Sequence, residues 1–171
     1  MDIYTEYIIK KKKDTKDYVI IVLSVILGIV LSLAFMLLNA LILGLGVLLA
    51  AFTWYGVYLI INSRNLEYEY ILTNGELDID KIIAKNGRKR IITINFKEVE
   101  LCANIHNPEF KHQYENENNL SQKLVLVGDK NADNIYFADF YSDGERKRVL
   151  FQPTEKIVDG LAKANPRNVH A

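Results

Sequence analysis

Soft ligands, net charge and reactive motifs are what this sequence has least of. Its 171 residues include 1 cysteine and 3 histidines, and 21 Lys+Arg are balanced by 21 Asp+Glu. A zinc or redox centre needs several Cys or His ligands at fixed spacing, so Cys102 is expected to be a small buried apolar residue in a strand. His106 and His112 have no third ligand near them in sequence and read as surface histidines. A domain that binds nucleic acid generically carries a basic excess, which zero net charge excludes. No glycine-rich phosphate loop, Gly-x-Ser-x-Gly elbow or Cys/His nucleophile arrangement occurs, so neither an enzyme nor a cofactor is expected.

Charge is also missing from one long window. Between Asp17 and Arg64 lie 46 residues, Tyr18 to Ser63, without a single Asp, Glu, Lys, Arg or His. A bilayer core about 30 Å thick is crossed by roughly 20 apolar residues. As one helix the window would be about 69 Å long, so it predicts two spans, 18–38 and 41–62, broken near Asn39. In hydrocarbon the backbone must satisfy its own hydrogen bonds, and an antiparallel helical hairpin with an uncharged turn does so. A signal peptide has an apolar core of only about 7–15 residues, far shorter than this one. Ion pathways and proton relays need ionisable groups within the membrane, so this hairpin reads as an anchor, not a transporter.

Cations set the expected orientation. Lys10, Lys11, Lys12, Lys13 and Lys16 precede the window, while Arg64, Lys81, Lys85, Arg88, Lys89 and Arg90 follow it, and the turn has none. Positive charge stays inside, which predicts a multi-pass protein of the cell membrane with both termini cytoplasmic. Residues 1–17 then form a basic cytoplasmic segment. Tyr18, Trp54, Tyr55 and Tyr58 suit the interfacial belts. Gly28 with Ser32, Ala40 with Gly44, and Gly46 with Ala50 are small residues four apart that permit close helix approach.

Residues 63–171 change period from uniformly apolar to alternating. Glu67–Thr73 and Glu76–Ile83 read as strands joined by Asn74-Gly75, a strong hairpin signal. A second turn, Lys85-Asn86-Gly87-Arg88-Lys89, leads into Arg90–Phe96, and Val99, Leu101 and Ala103 suggest a fourth strand. An irregular loop is expected over Ile105–Asn119. Three further strands follow at Lys123–Val127, Ile135–Tyr141 and Lys147–Gln152, the last after the Ser142-Asp143-Gly144 turn. Ile157, Val158, Leu161 and Ala162 recur at helical spacing over 154–164, with Thr154 as the cap and Asn165-Pro166 as the stop. The expected core takes Tyr68 or Tyr70, Leu77, Ile79, Ile92, Ile94, Phe96, Leu124, Leu126, Phe137, Ile157 and Leu161.

Two apolar spans, then Tyr68-Glu69-Tyr70-Ile71-Leu72-Thr73-Asn74-Gly75-Glu76-Leu77, then Arg148-Val149-Leu150-Phe151-Gln152-Pro153 entering the last helix, form a layout that extends over almost the whole chain. It resembles small bacterial membrane proteins that join a two-transmembrane anchor to a cytoplasmic bacterial PH-like domain. The resemblance implies an α+β chain, a two-helix transmembrane hairpin followed by a seven-stranded antiparallel PH-like β-barrel or sandwich capped by a C-terminal helix. It also implies a lipid-facing or protein-binding module. In lipid-binding eukaryotic PH domains the inositol-phosphate loop joins the first two strands. The corresponding turn here, Asn74-Gly75, is uncharged, so that pocket does not carry over.

Basic clusters are the remaining candidates: Lys10-Lys11-Lys12-Lys13, then Lys85, Arg88, Lys89 and Arg90, then Arg146-Lys147-Arg148. If the first strand climbs away from the bilayer, the second returns the Lys85–Arg90 turn to the membrane, where four cations would meet anionic headgroups. The leading expectation is therefore a scaffold or binding module facing anionic inner-leaflet lipid or a protein partner. Two others stand beside it. One is an accessory subunit of a larger membrane complex, or a homo-oligomer, packed through Gly28, Ser32, Gly44 and Gly46. The other is a tethered metal-dependent enzyme using Asp78, Asp80 and His106, set against a plain reading of Asp78 and Asp80 as the solvated face of a strand.

Overall fold

The structure, a computed structural model, describes residues 4–41 and 44–170. Ile42 and Leu43, at the start of the expected second span, lie outside the described residues. The chain forms two units. One holds the strands and the two shorter helices, and the other holds the two long helices with the turn at 83–86.

In the helical unit, α1 (Thr15–Leu37) and α2 (Gly46–Ser63) are each long and apolar enough to cross a bilayer. Helix α1 starts three residues before the expected span. Asp14 occupies its N-cap, and Asp17 Oδ2 accepts the Asp14 N–H at 3.1 Å, so a charged turn precedes the apolar one. Helix α2 starts later than expected, at Gly46, and Asn39 holds the turn that leads to it. The Asn39 carbonyl accepts from Gly44 N–H at 2.9 Å, and its side-chain Oδ1 accepts from Gly46 N–H at 2.9 Å. Only glycine fits at position 46: a Cβ there would lie 2.3 Å from the Phe35 carbonyl oxygen. Helix α1 meets α2 where Gly28 faces Val57 and Trp54. Gly28 and Gly46 therefore serve contacts within the hairpin itself.

The β unit contains two sheets. The first has the order β1-β2-β3-β4, with β1 Tyr4–Lys10, β2 Leu66–Thr73, β3 Glu76–Ile83 and β4 Gly87–Asn95. In the second the order is β6-β8-β7-β5-β9, with β5 Leu101–Asn104, β6 Leu120–Leu126, β7 Tyr136–Ser142, β8 Glu145–Phe151 and β9 Val169–His170. A five-residue helix α3 (Lys111–Glu115) interrupts the irregular loop before β6. Helix α4 (Glu155–Ala164) follows β8, with Thr154 at the N-cap and Asn165 at the C-cap.

Seven antiparallel strands in a barrel are thus corrected to nine strands in two open sheets among the described residues. Both added strands sit at sheet edges. Residues 4–10, expected to be a basic tail, form β1, antiparallel to β2 with Tyr7 opposite Tyr70 and Lys10 opposite Glu67. Strand β9 adds at the far edge of the second sheet, parallel to β5. Strand β6 also runs parallel to β8, because β7 and β8 pair as a hairpin and β6 lies on the outer side of β8.

Turn chemistry explains the hairpins. Asn74 and Gly75 both adopt positive φ (49° and 93°), as do Asp143 and Gly144 (58° and 77°), the two-residue geometry that matches strand twist. The core lies between the sheets under α4. Tyr68, Tyr70, Leu77, Ile79, Ile94, Phe96, Leu126, Ile157 and Leu161 are buried there, and Ile92 and Leu124 pack half-buried against them. Phe137 is buried in a second cluster with Ala103, Val127, Ile135 and Leu150. In the main core the Tyr70 hydroxyl donates to the Leu126 carbonyl at 2.6 Å and accepts from Gln152 N–H at 3.2 Å. A buried phenol with both hydrogen-bonding roles filled fixes the strand register around it.

Candidate functional site

The candidate cations divide between the two units. Lys10 and Lys11 belong with the β unit, as do Arg88, Lys89 and Arg90, whereas Lys12, Lys13 and Lys85 belong with the helical unit.

The basic turn expected at Lys85–Lys89 is shorter in the structure. Positive φ falls at Ala84 (52°) and Lys85 (60°), and β4 already begins at Gly87. Arg88 and Arg90 consequently alternate along a strand and share one face. That face meets carboxylates. Arg88 donates from an Nη to Glu69 Oε1 at 2.8 Å, and the Glu69 side chain is 0% exposed. Arg90 reaches Asp78 Oδ1 at 2.7 Å and also pairs with Asp80 Oδ1 through Nε. Asp78 further accepts from the Thr93 hydroxyl at 2.5 Å. The hydrogen bond to Asp80, then burial and the charge of Asp78, set the Arg90 guanidinium, with a net upward shift from its ordinary value. These two arginines brace the sheet. Asp78 and Asp80, considered as cation ligands, hold Arg90 between them instead.

The sequence carried the signal for this pairing. Glu69, Asp78, Asp80, Arg88 and Arg90 sit at alternate positions of three consecutive strands, so opposite charges fall on one face once β4 is extended back to Gly87. Lys89 is exposed, as is Lys85. The third basic cluster is likewise occupied. Arg148 and Arg146 both bind Asp139, and Lys147 Nζ lies 3.4 Å from Asp143.

The helical unit collects a different set of charges. At the end of α2, the Asn65 carbonyl accepts the Ala84 N–H at 2.9 Å, which fastens the 83–86 turn to the helix exit. Asp17 Oδ1, on the first turn of α1, lies 4.0 Å from an Arg64 Nη. Lys12, Lys13, Lys16, Arg64 and Lys85 therefore gather where α1 enters and α2 leaves the apolar stretch. The helical unit holds these five cations together with two carboxylates, Asp14 and Asp17. Asn65 and the Ala84 contact were not foreseen from sequence, because a single backbone hydrogen bond between a helix exit and a distant turn leaves no pattern.

Cys102 is buried at 1% exposure, which pushes its thiol well above the ordinary range and leaves it an apolar core residue. His106 and His112 are exposed in the segment around α3.

No curated protein and no solved structure matches this chain. The family described as Bacterial PH-like domain (DUF6106) matches residues 1–171. With that match covering its whole length, beside two apolar helices and a two-sheet α+β domain, the chain belongs to the bacterial PH-like family.

Proposed function

We propose that the protein is a multi-pass, membrane-anchored PH-like binding module that holds its β domain at the cytoplasmic face of the cell membrane by contact with anionic lipid. The observation that carries this reading is the basic rim at the foot of the helical hairpin. Lys12, Lys13, Lys16, Arg64 and Lys85 surround the point where the apolar helices would enter the bilayer. Each cation near an anionic surface contributes on the order of 1 kcal/mol, less at high salt. Arg88 and Arg90, expected to share in this contact, are engaged by carboxylates of their own sheet. The lipid contact is accordingly assigned to the lysine-rich rim.

The β1–β2 pairing supports the topology. Residues 4–10 precede the hairpin and 66–73 follow it, yet they lie in one sheet, which supports both flanks emerging on the same side. The rim's positive charge makes that side cytoplasmic. The role is binding and not catalysis. Of the residues through which an accessory-subunit role was expected, Gly28, Ser32, Gly44 and Gly46, the first and last are occupied within the hairpin, while Gly44 is open.

Two measurements test the reading. Reporter fusions after Asn39 and at the C-terminus should give opposite location signals, and identical signals would refute the topology. Full-length protein should be purified from membranes of defined anionic content and its retained lipid quantified by mass spectrometry. Retained lipid enriched in anionic species, with the enrichment falling in high salt and in a Lys12→Gln, Lys13→Gln, Lys16→Gln, Lys85→Gln variant, supports the contact. Retained lipid matching the bulk membrane in both proteins overturns it.

A further inference from the structure

Glu69 presents an accounting problem. Its side chain is wholly removed from solvent, and Oε1 is satisfied by Arg88. Its other oxygen, Oε2, is buried with no donor among the described residues. Leaving a buried carboxylate oxygen unpaired is costly, and native structures rarely do so.

The groups around it point to the missing partner. From β1, Glu6 pairs with Ile71 and Ile8 with Glu69, so the two glutamates are diagonal neighbours on one face of the β1–β2 ladder. Glu6 in turn accepts from the Tyr4 hydroxyl at 2.9 Å. From β3, Asp80 faces Glu69 and is held by Arg90. From β4 comes Arg88. The face thus sets five carboxylates (Glu6, Glu67, Glu69, Asp78 and Asp80) against three cations, Arg88, Arg90 and Lys10, the last opposite Glu67. Two carboxyl groups in contact under that deficit repel one another if both are ionised. One proton between them removes the repulsion and supplies Oε2 with its hydrogen bond.

We propose that Glu69 keeps a proton on its buried Oε2 and donates it to Glu6, and that this hydrogen bond latches edge strand β1 onto β2, so that β1 loosens as pH rises. Burial first, and then the hydrogen bond with Glu6, hold the Glu69 carboxyl above the ordinary carboxylate range, against the opposing charge of Arg88. For an acid shifted upward by folding, the contribution is fully present at low pH and is lost as pH climbs through the raised value. Its loss sets two negative charges against each other across the β1–β2 ladder. The strand that is released leads directly into α1.

The test uses the full chain in mild detergent. Amide hydrogen exchange is followed by mass spectrometry from acid to alkaline pH and corrected for intrinsic rates, with β7 as the internal reference. Protection in β1 should fall relative to β7 by about tenfold or more, the scale of one charge-assisted hydrogen bond. In Glu69→Gln the amide oxygen still accepts from Arg88 and the amide N–H donates to Glu6, so β1 protection should become flat with pH. A parent protein whose β1 protection is already flat, or a variant that keeps the parent's fall, overturns the proposal. Carboxyl carbon NMR of glutamate-labelled parent protein needs no variant. One glutamate titrating above the ordinary range supports the retained proton, and ordinary titration of every glutamate refutes it.

Discussion

Asp139 and Arg148 stand directly opposite one another on β7 and β8, both out of solvent, joined by two charge-assisted hydrogen bonds of 2.5 and 2.7 Å. Arg148 also donates to the carbonyls of Gln113 (3.0 Å) and Tyr114, which ties helix α3 to the sheet. Its guanidinium carbon lies 5.0 Å from the Phe137 ring centroid and 5.6 Å from that of Tyr114. Arg146 binds the same carboxylate at 2.6 Å. Removing Arg148 leaves a buried aspartate with half its partners and two carbonyls with none.

Arg148→Met is therefore expected to cost about 3–5 kcal/mol, the range for breaking a buried ion pair from one side. Urea unfolding of the full chain in mild detergent, followed by far-UV circular dichroism, checks the size. Hydrogen exchange checks the mechanism, since protection over 111–118 should fall first.

Helix α4 gives a second expectation. Leu161 is 1% exposed and packs with Ile157 in the main core. Truncation to Ala should cost about 2–5 kcal/mol, as for other buried leucines. An unchanged unfolding midpoint would show that α4 does not close the domain.

The hairpin turn supplies a third. Asn39→Ala removes the acceptor for Gly46 N–H and should destabilise α2 by about 0.5–2 kcal/mol, a typical capping loss. Asn39→Asp keeps an acceptor and should lose less. Thermal loss of helical circular dichroism in detergent ranks the three proteins.

Much of this architecture was legible in the sequence because it rests on local rules. The charge-free window marks both long helices, positive-φ turns appear as Asn74-Gly75 and Asp143-Gly144, and the period of Ile157, Val158 and Leu161 marks α4. Strand β1 was missed for a physical reason. Tyr4-Thr5-Glu6-Tyr7-Ile8-Ile9-Lys10 has only Thr5, Tyr7 and Ile9 on its inner face, and its partner lies 57 positions away at Lys10 and Glu67. The basic turn was misplaced because Asn86-Gly87 offers the usual turn residues, while the chain bends two residues earlier at Ala84 and Lys85. That shift of register puts Arg88 and Arg90 on a strand face beside the carboxylates of Glu69, Asp78 and Asp80. The lysine rim was legible as charge, but its attachment to Asn65 was not.

A fourth expectation follows from the Lys10–Glu67 pair. Those residues are cross-strand partners, so a two-residue Asn-Gly turn replacing residues 12–65 should join β1 to β2 without strain. Such a protein is expected to be water-soluble, monomeric by size-exclusion chromatography and well dispersed in its amide NMR spectrum. A fragment from Arg64 to the C-terminus lacks β1 and leaves the edge of β2 open, so it should aggregate.

Placing the apolar helices inside the loop of a β-hairpin also sets the order of events during synthesis. Strand β1 leaves the ribosome first and has no partner until β2 follows, 57 positions later. At about 5–20 residues per second that interval is roughly 3–11 seconds. Both long helices are made within it, so they are available for insertion before the first possible β1–β2 contact. A chain whose hairpin stays out of the bilayer on one span strands β1 and β2 on opposite sides, and the first sheet never acquires its edge. On the proposed topology, completion of the first sheet therefore requires both spans to cross together, and a chain inserted by one span alone exposes the edge of β2 to the cell's proteases.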